Sequence, residues 1–528
     1  FNLDECQMVS GAMTMWHDLV PWRSVDPTTR GPLDLYVLLL PRLFGAPVSL
    51  GTARVVAACL AWGVVVFSYL TLRTGMSTRA ARLGTVPLLL FFCLFNDIEF
   101  YFYNSEQLPL FLCALAGWLL TSGMGRTGGS RAWHLFFAGV CLGAAPFGKL
   151  QVAPFLLWAA GFGMVGVALA RETAWRDRLT AMGGLAAGCL VVPALMLSLL
   201  LATGQWEHFW QSYIVNNFAY PRWGSSLGKY LTYLTTTKPK IGVVLVTGTL
   251  FVLLALVLQR VLPRPTRRLV VYGAGSVCAM AYAVYAPGRM AAQYYWFLVP
   301  MLGLSAGALA GGCLDLPVQD NGRRVAGKPL RFWRVAVATL FLLCCVGSYL
   351  NAWPTGTPPF FDALSWKYDA ELTALARKIR ATAAPEERLG MWGWMPVYYL
   401  KTGLLQATRE AENERQFNRG PQQTYYRQRY LHDLQRVRPP IFLDATGPGN
   451  HLFIFRETQG HEIVPELARF IAEEYRLVDD VLGVRVYARQ DRAAAWGVPG
   501  AWRGVVTQAD GAHDAGRMNE TMPGGPGD

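Results

Sequence analysis

Between residues 52 and 352 the chain returns ten times to an apolar run of close to 20 residues, and this repetition limits the fold more than any other feature. A helix of that length matches a hydrocarbon core of about 30 Å. The runs lie near 52–72, 83–98, 104–121, 133–147, 150–170, 179–203, 241–262, 268–286, 291–313 and 332–352. They predict a polytopic α-helical membrane protein. From about residue 356 the composition becomes that of an ordinary globular domain, so the mean hydropathy of +0.25 averages two different regions.

Charge divides the chain in the same way. Residues 356–528 hold 21 Lys and Arg against 22 Asp and Glu, leaving 27 against 13 in the membrane part. Seventeen of those 27, from Arg73, Arg79 and Arg82 to Arg331 and Arg334, fall in or beside alternate short loops with only four acids. That placement reads as topology, not as a nucleic-acid surface, and the positive-inside rule makes those loops cytoplasmic. The loop 1–51, the loop 204–240 and the C-terminal domain then share the outer face. Leu33–Phe44 carries Asp34 and Pro41 and is too short to span, so it is expected to lie at the interface. The chain starts at Phe1 already outside, and a further transmembrane helix is expected ahead of it. None of the ten cysteines lies in the C-terminal domain and none has metal-ligand spacing, which argues against a disulfide framework.

The C-terminal domain, 356–490, reads as α/β. Strands are expected at 388–394, 440–444 and 484–488, and helices at 365–380, 423–437 and 465–475. It contains no Gly-rich phosphate loop and no recognisable catalytic triad. Residues 491–528 are expected to be a disordered tail.

Ionisable groups at a membrane face must be solvated, paired or used. The outer face gathers several: Asp4-Glu5, Arg30 before Gly31-Pro32, Asp97-x-Glu99, Glu106, Lys149, Arg222 and Arg289 beside Gln293-Tyr294. Each has a plain alternative. Asp4 and Glu5 also suit a helix N-terminus. Trp206, Trp210, Tyr213 and Trp223 in the loop 204–240 suit the headgroup level. Asp97 and Glu99 are spaced as a metal or sugar ligand pair only weakly. Lys149 sits between two spans without a loop and calls for a partner, either Glu106 or a phosphate.

Sugar transfer on the outer face has no nucleotide sugar to draw on, so its donor is expected to be a lipid-linked sugar phosphate. That chemistry needs a carboxylate as general base, cations where the leaving phosphate gathers charge and an apolar groove for the lipid.

The residues resemble the GT-C fold glycosyltransferases that use polyprenyl-phosphate sugars, specifically the protein O-mannosyltransferase and aminoarabinose-transferase group (glycosyltransferase family 39 and bacterial relatives). The likeness runs through most of residues 1–313. It rests on Asp4-Glu5, on Arg30-Gly31-Pro32-Leu33 leading to Leu43-Phe44-Gly45, and on Ala53-Arg54. Further along it includes Glu106, Gly148-Lys149 and Arg289…Gln293-Tyr294…Pro300. Two positions depart from the pattern: Arg30 stands for the usual Lys, and Gln293 for the usual His. The resemblance implies Asp4 as base with Glu5 beside it. It also implies that basic residues hold the donor phosphate; the expected donor site is Arg30, Glu106, Lys149, Arg289 and Tyr294, with Arg222 of the aromatic loop added from its position. The expected reaction is an inverting transfer to an envelope lipid, glycan or protein, and the Arg, Ala and Gly richness points to a bacterial inner membrane. No cofactor is expected to be obligatory, although Asp97 and Glu99 leave a divalent cation open. The rival readings are a flippase for lipid-linked saccharides and a non-catalytic envelope assembly protein.

Overall fold

The computed structural model describes residues 2–94, 100, 102–170, 172–219, 226–289, 291–315, 369–447, 450 and 453–496. The expected span at 332–352, most of the C-terminal tail, and Asp97, Glu99 and Arg222 lie outside the described residues.

The other nine expected spans are helices. They are α3 (Leu50–Arg73), α4 (Thr78–Leu94), α5 (Gln107–Met124), α6 (Gly128–Ala144), α7 (Ala153–Ala168), α8 (Trp175–Ala202), α9 (Pro239–Leu258), α10 (Arg264–Tyr285) and α11 (Tyr295–Leu314). With their flanking turns, seven are long and apolar enough to cross a membrane. The other two, α4 and α6, have 17 residues each, about 26 Å of helix, and pack inside the same bundle. The protein is therefore a multi-pass membrane protein. Small residues bring α6 against α8: a methyl group on Gly188 would lie 2.1 Å from the Phe136 carbonyl oxygen.

Two expectations need correction at one end of the bundle. Residues 104–106 are not helical, and helical geometry tightens to a 3-10 turn at Ala145–Phe147 before Lys149. The first segment is not a loop either. It contains α1 (Leu3–Met15), followed by the expected interfacial helix α2 (Leu33–Leu43). The helix α1 is packed on more than one side. Met8, Val9, Ala12 and Met15 meet α2 and α3, while Cys6 enters the core of the C-terminal domain. A helix covered nearly all round has no one-sided apolar stripe, so periodicity does not reveal it.

The C-terminal domain contains a five-stranded sheet in the order β2-β1-β3-β5-β4. The strands are β1 (Arg388–Gly393), β2 (Leu405–Gln406), β3 (Ile441–Ala445), β4 (Tyr475–Val481) and β5 (Val484–Arg489). The first three are parallel; β5 runs antiparallel to β3 and β4. The expected helices are α12 (Asp369–Thr382), α13 (Gln423–Val437) and α14 (Pro465–Glu474). β2 and β4 were not expected. β2 has two residues, and β4 is an edge strand whose Arg476, Asp479 and Asp480 hide its β pattern.

A buried polar junction ties this domain to the rest. Arg429 on α13 pairs with Asp26 of the first segment and with Glu410, and donates to Ser212 Oγ at 3.0 Å. Beside it, Arg409 Nη1 lies 2.9 Å from His208 Nε2, and His208 Nδ1 lies 2.6 Å from the Tyr425 hydroxyl. Burial, then the charges of Arg409 and Arg429, push the His208 pKa down to about 4 from its ordinary 6.5. Between those values the unfolded chain binds more protons than the folded one, so this contribution is complete above about pH 6.5 and is lost toward pH 4. Thermal melting of the wild type should therefore fall over that window more than melting of His208→Asn; parallel profiles would contradict it.

Candidate functional site

The site is built from the start of α1. The Asn2 side chain accepts the Glu5 N–H at 3.2 Å, and this cap places Asp4 and Glu5 in the first turn, where the helix dipole favours acids. The two carboxylates then diverge. Glu5 is fully buried: Arg54 Nε donates to it at 3.2 Å, Arg54 Nη2 at 2.9 Å and the Tyr103 N–H at 3.1 Å. Burial raises its pKa, and Arg54 opposes that rise. Asp4 faces a cavity and pairs with Arg30. The expectation that Glu5 shares the chemistry with Asp4 is thus revised, because Glu5 lies behind the cavity wall. Breaking its pair should cost about 3–5 kcal/mol. Arg54→Met should accordingly lower the melting temperature sharply, and adding Glu5→Gln should restore much of it; an unaffected single variant would contradict this reading.

Next comes the Arg30-Gly31-Pro32 step. The Gly31 N–H donates to the Gly148 carbonyl at 2.5 Å. A Cβ on Gly31 would lie 1.7 Å from the Phe147 carbonyl oxygen. Only glycine lets these backbones touch, and their contact brings Arg30 and Lys149 to one cavity. Lys149 finds the partner its position called for: it pairs with Glu106, donates to Ser105 Oγ at 2.8 Å and lies 4.8 Å from the centre of the Tyr294 ring. Beneath this corner Asp34 is wholly buried, and neither of its carboxyl oxygens has a hydrogen-bond partner among the described residues. Burial lifts its pKa well above the usual carboxylate range.

The C-terminal domain supplies the opposite wall. Arg289 pairs with Glu414 at 3.3 Å, and Arg415 pairs with Glu412. Trp394 lines the same wall and donates its indole N–H to Gln7 Oε1 at 3.1 Å. Among the described residues, four cations and four carboxylates therefore line one cavity as matched pairs: Arg30–Asp4, Lys149–Glu106, Arg289–Glu414 and Arg415–Glu412. A guanidinium or ammonium held this way is in place for an anion that competes better than a carboxylate. Asp4, Arg30, Glu106, Lys149, Arg289 and Tyr294 are brought together. Glu412, Glu414, Arg415 and Phe453 came without a sequence signal, because they lie in irregular segments or in the four-residue helix Glu414–Phe417, hundreds of residues from Asp4.

A second acidic cluster lies apart. Asp444, His461 and Glu462 bring potential ligand atoms within 4.8 Å of one another. Arg485 also pairs with Asp444, and with Glu462 at 2.6 Å, so a guanidinium already serves two of the three as counter-ion.

No protein-family model matches the sequence, and no curated protein sequence does. Solved structures do match in shape. ArnT from Cupriavidus metallidurans in the apo state is 15% identical, with a TM-score of 0.57 over 94% of each chain. The same protein bound to undecaprenyl phosphate gives the same score and identity, over 94% of this chain and 95% of that one. The archaeal oligosaccharyltransferase AglB from Archaeoglobus fulgidus, in complex with an inhibitory peptide and a dolichol-phosphate, is 11% identical over 84% of this chain and 65% of its own. Its TM-score of 0.42 is too low to bear on this chain. The likeness to ArnT runs through both the bundle and the C-terminal domain, and the chain has the GT-C fold.

Proposed function

We propose that this protein is a membrane glycosyltransferase. It moves a sugar from a polyprenyl-phosphate donor to a hydroxyl of an envelope glycolipid, polysaccharide or protein, at the outer face of a bacterial plasma membrane. The observation that carries this reading is the meeting of Asp4 with Arg30 and Lys149 on one cavity of a GT-C fold.

The reaction is a single inverting displacement. Asp4 takes the proton of the acceptor hydroxyl, whose oxygen forms the new bond to the anomeric carbon. The bond from that carbon to the phosphate oxygen breaks, and the electron pair leaves on polyprenyl phosphate. Arg30, Lys149 and Arg289 stabilise the charge that gathers there, with Arg222 as a further cation for the phosphate. The incoming phosphate draws Arg30 away from Asp4, which frees the carboxylate to act as a base. Glu106 and Tyr294 hold Lys149, and Glu5 holds the first turn of α1 against Arg54. Side-chain cations can neutralise a monophosphate leaving group, so we expect no obligatory metal, with a divalent cation a possible addition.

The donor site is tested by undecaprenyl phosphate binding to the purified protein in detergent, followed by native mass spectrometry. Arg30→Ala and Lys149→Ala should each weaken binding about tenfold or more, the loss of one charge-assisted hydrogen bond. Unchanged binding in both would remove the phosphate site from this cavity.

A further inference from the structure

The C-terminal domain does more than wall the cavity, because its buried Arg429 reaches the chain segment that presents Arg30. Arg429 sits in the middle of α13 with its side chain 4% exposed. Its guanidinium is fully engaged. Nε and Nη2 donate to Glu410 Oε1 at 2.8 and 2.6 Å, Nη1 donates to Ser212 Oγ at 3.0 Å and to the Tyr425 hydroxyl at 2.9 Å, and Nη2 also pairs with Asp26.

Asp26 passes this constraint on. Its other carboxylate oxygen accepts the Thr28 N–H at 2.7 Å, and its own N–H donates to the Arg409 carbonyl at 2.9 Å. Thr28 has a φ of +63°. A β-branched residue in the left-handed region is an outlier that persists only when its surroundings impose it. The Arg30 N–H then closes the turn by donating to the Pro27 carbonyl at 3.1 Å. Thr28, Thr29 and Arg30 all line the cavity. An unbroken path thus runs from α13 through Asp26 and a strained turn to Arg30.

Stability alone does not account for such a cluster, since well-packed apolar side chains usually serve a buried junction as well as or better than charges do. Directional bonds do what apolar contacts cannot, which is to set the register of a turn. We propose that Arg429, acting through Asp26, is a positioning residue for Arg30, so that the C-terminal domain sets where the donor phosphate is held. This rests on the phosphate role given to Arg30 above.

The test uses the full chain, with undecaprenyl phosphate as the probe. Affinity is measured for wild type, Asp26→Ala, Asp26→Asn, Arg30→Ala and the two Asp26 variants combined with Arg30→Ala. Asp26→Ala loses both the Arg429 pair and the Thr28 acceptor, and should weaken binding about tenfold, as expected when a binding group is displaced by a fraction of an ångström. Asp26→Asn keeps the acceptor and should lose less, about threefold. Neither should weaken binding further once Arg30 is alanine, because the positioned group is gone. A purely structural role predicts the opposite, with the same factor lost in both backgrounds. That result, or wild-type affinity in either single variant, would overturn the proposal. If Asp26→Ala does not fold, Asp26→Asn in the two backgrounds decides the question alone. A wild type that binds no undecaprenyl phosphate would instead sink the functional reading itself.

Discussion

Asp4→Asn should reduce sugar transfer by a factor of about 10²–10⁴, the range a positioned general base contributes, while the protein still folds and binds undecaprenyl phosphate. The separation of these effects follows from where Asp4 sits. Its side chain is a third exposed and its pair with Arg30 lies at the cavity wall. Pairs exposed in this way contribute about 0–1 kcal/mol to stability, so removing one charge leaves the fold intact. Asparagine also keeps the shape of the first turn, because the cap comes from Asn2 and not from Asp4. Arg30, no longer shared with a carboxylate, remains available to phosphate. Loss of transfer should therefore appear in kcat with donor binding retained or tightened. An Asp4→Asn protein that transfers at the wild-type rate would remove Asp4 from the chemistry.

Gly31→Ala should be nearly as damaging, for a different reason. The added methyl would stand 1.7 Å from the Phe147 carbonyl oxygen and 2.9 Å from the Gly148 nitrogen. Both are backbone atoms, so no side chain can swing aside. The turn carrying Arg30 must back away from the turn carrying Lys149, and the 2.5 Å hydrogen bond between Gly31 and Gly148 is lost. Overpacking of this kind costs about 1–3 kcal/mol, and a displacement near 1 Å at a reacting site costs about 100-fold in rate. A lower melting temperature together with weakened undecaprenyl phosphate binding is the expected pair of results. Normal binding in Gly31→Ala would mean that Arg30 and Lys149 need not be held together.

How much of this was legible in the sequence depended on how local the signal was. Hydrocarbon thickness imposes a length on every span, so the runs stood out, and the helices among the described residues follow them within a few positions. Lys149 was conspicuous because a lysine beside hydrocarbon needs a partner, and Glu106 meets it. Asp4 and Glu5 stood out as a pair, but adjacent residues on a helix point about 100° apart. Nothing in the sequence said that one would face a cavity and the other Arg54. α1 was hidden because it is buried on several sides. The Glu412–Arg415 segment was hidden because its role arises only when the C-terminal domain folds back over α1. The same holds for Arg429 and Asp26, which lie 403 residues apart and meet only in the folded chain.

The most direct test of the central claim is mass spectrometry of envelope lipids and glycans from cells lacking the gene, complemented with wild type or Asp4→Asn. The account predicts a sugar modification that disappears with the gene, returns with wild type and does not return with Asp4→Asn, while polyprenyl-phosphate sugar accumulates. Restoration by the asparagine variant, or an envelope unchanged by loss of the gene, would contradict it.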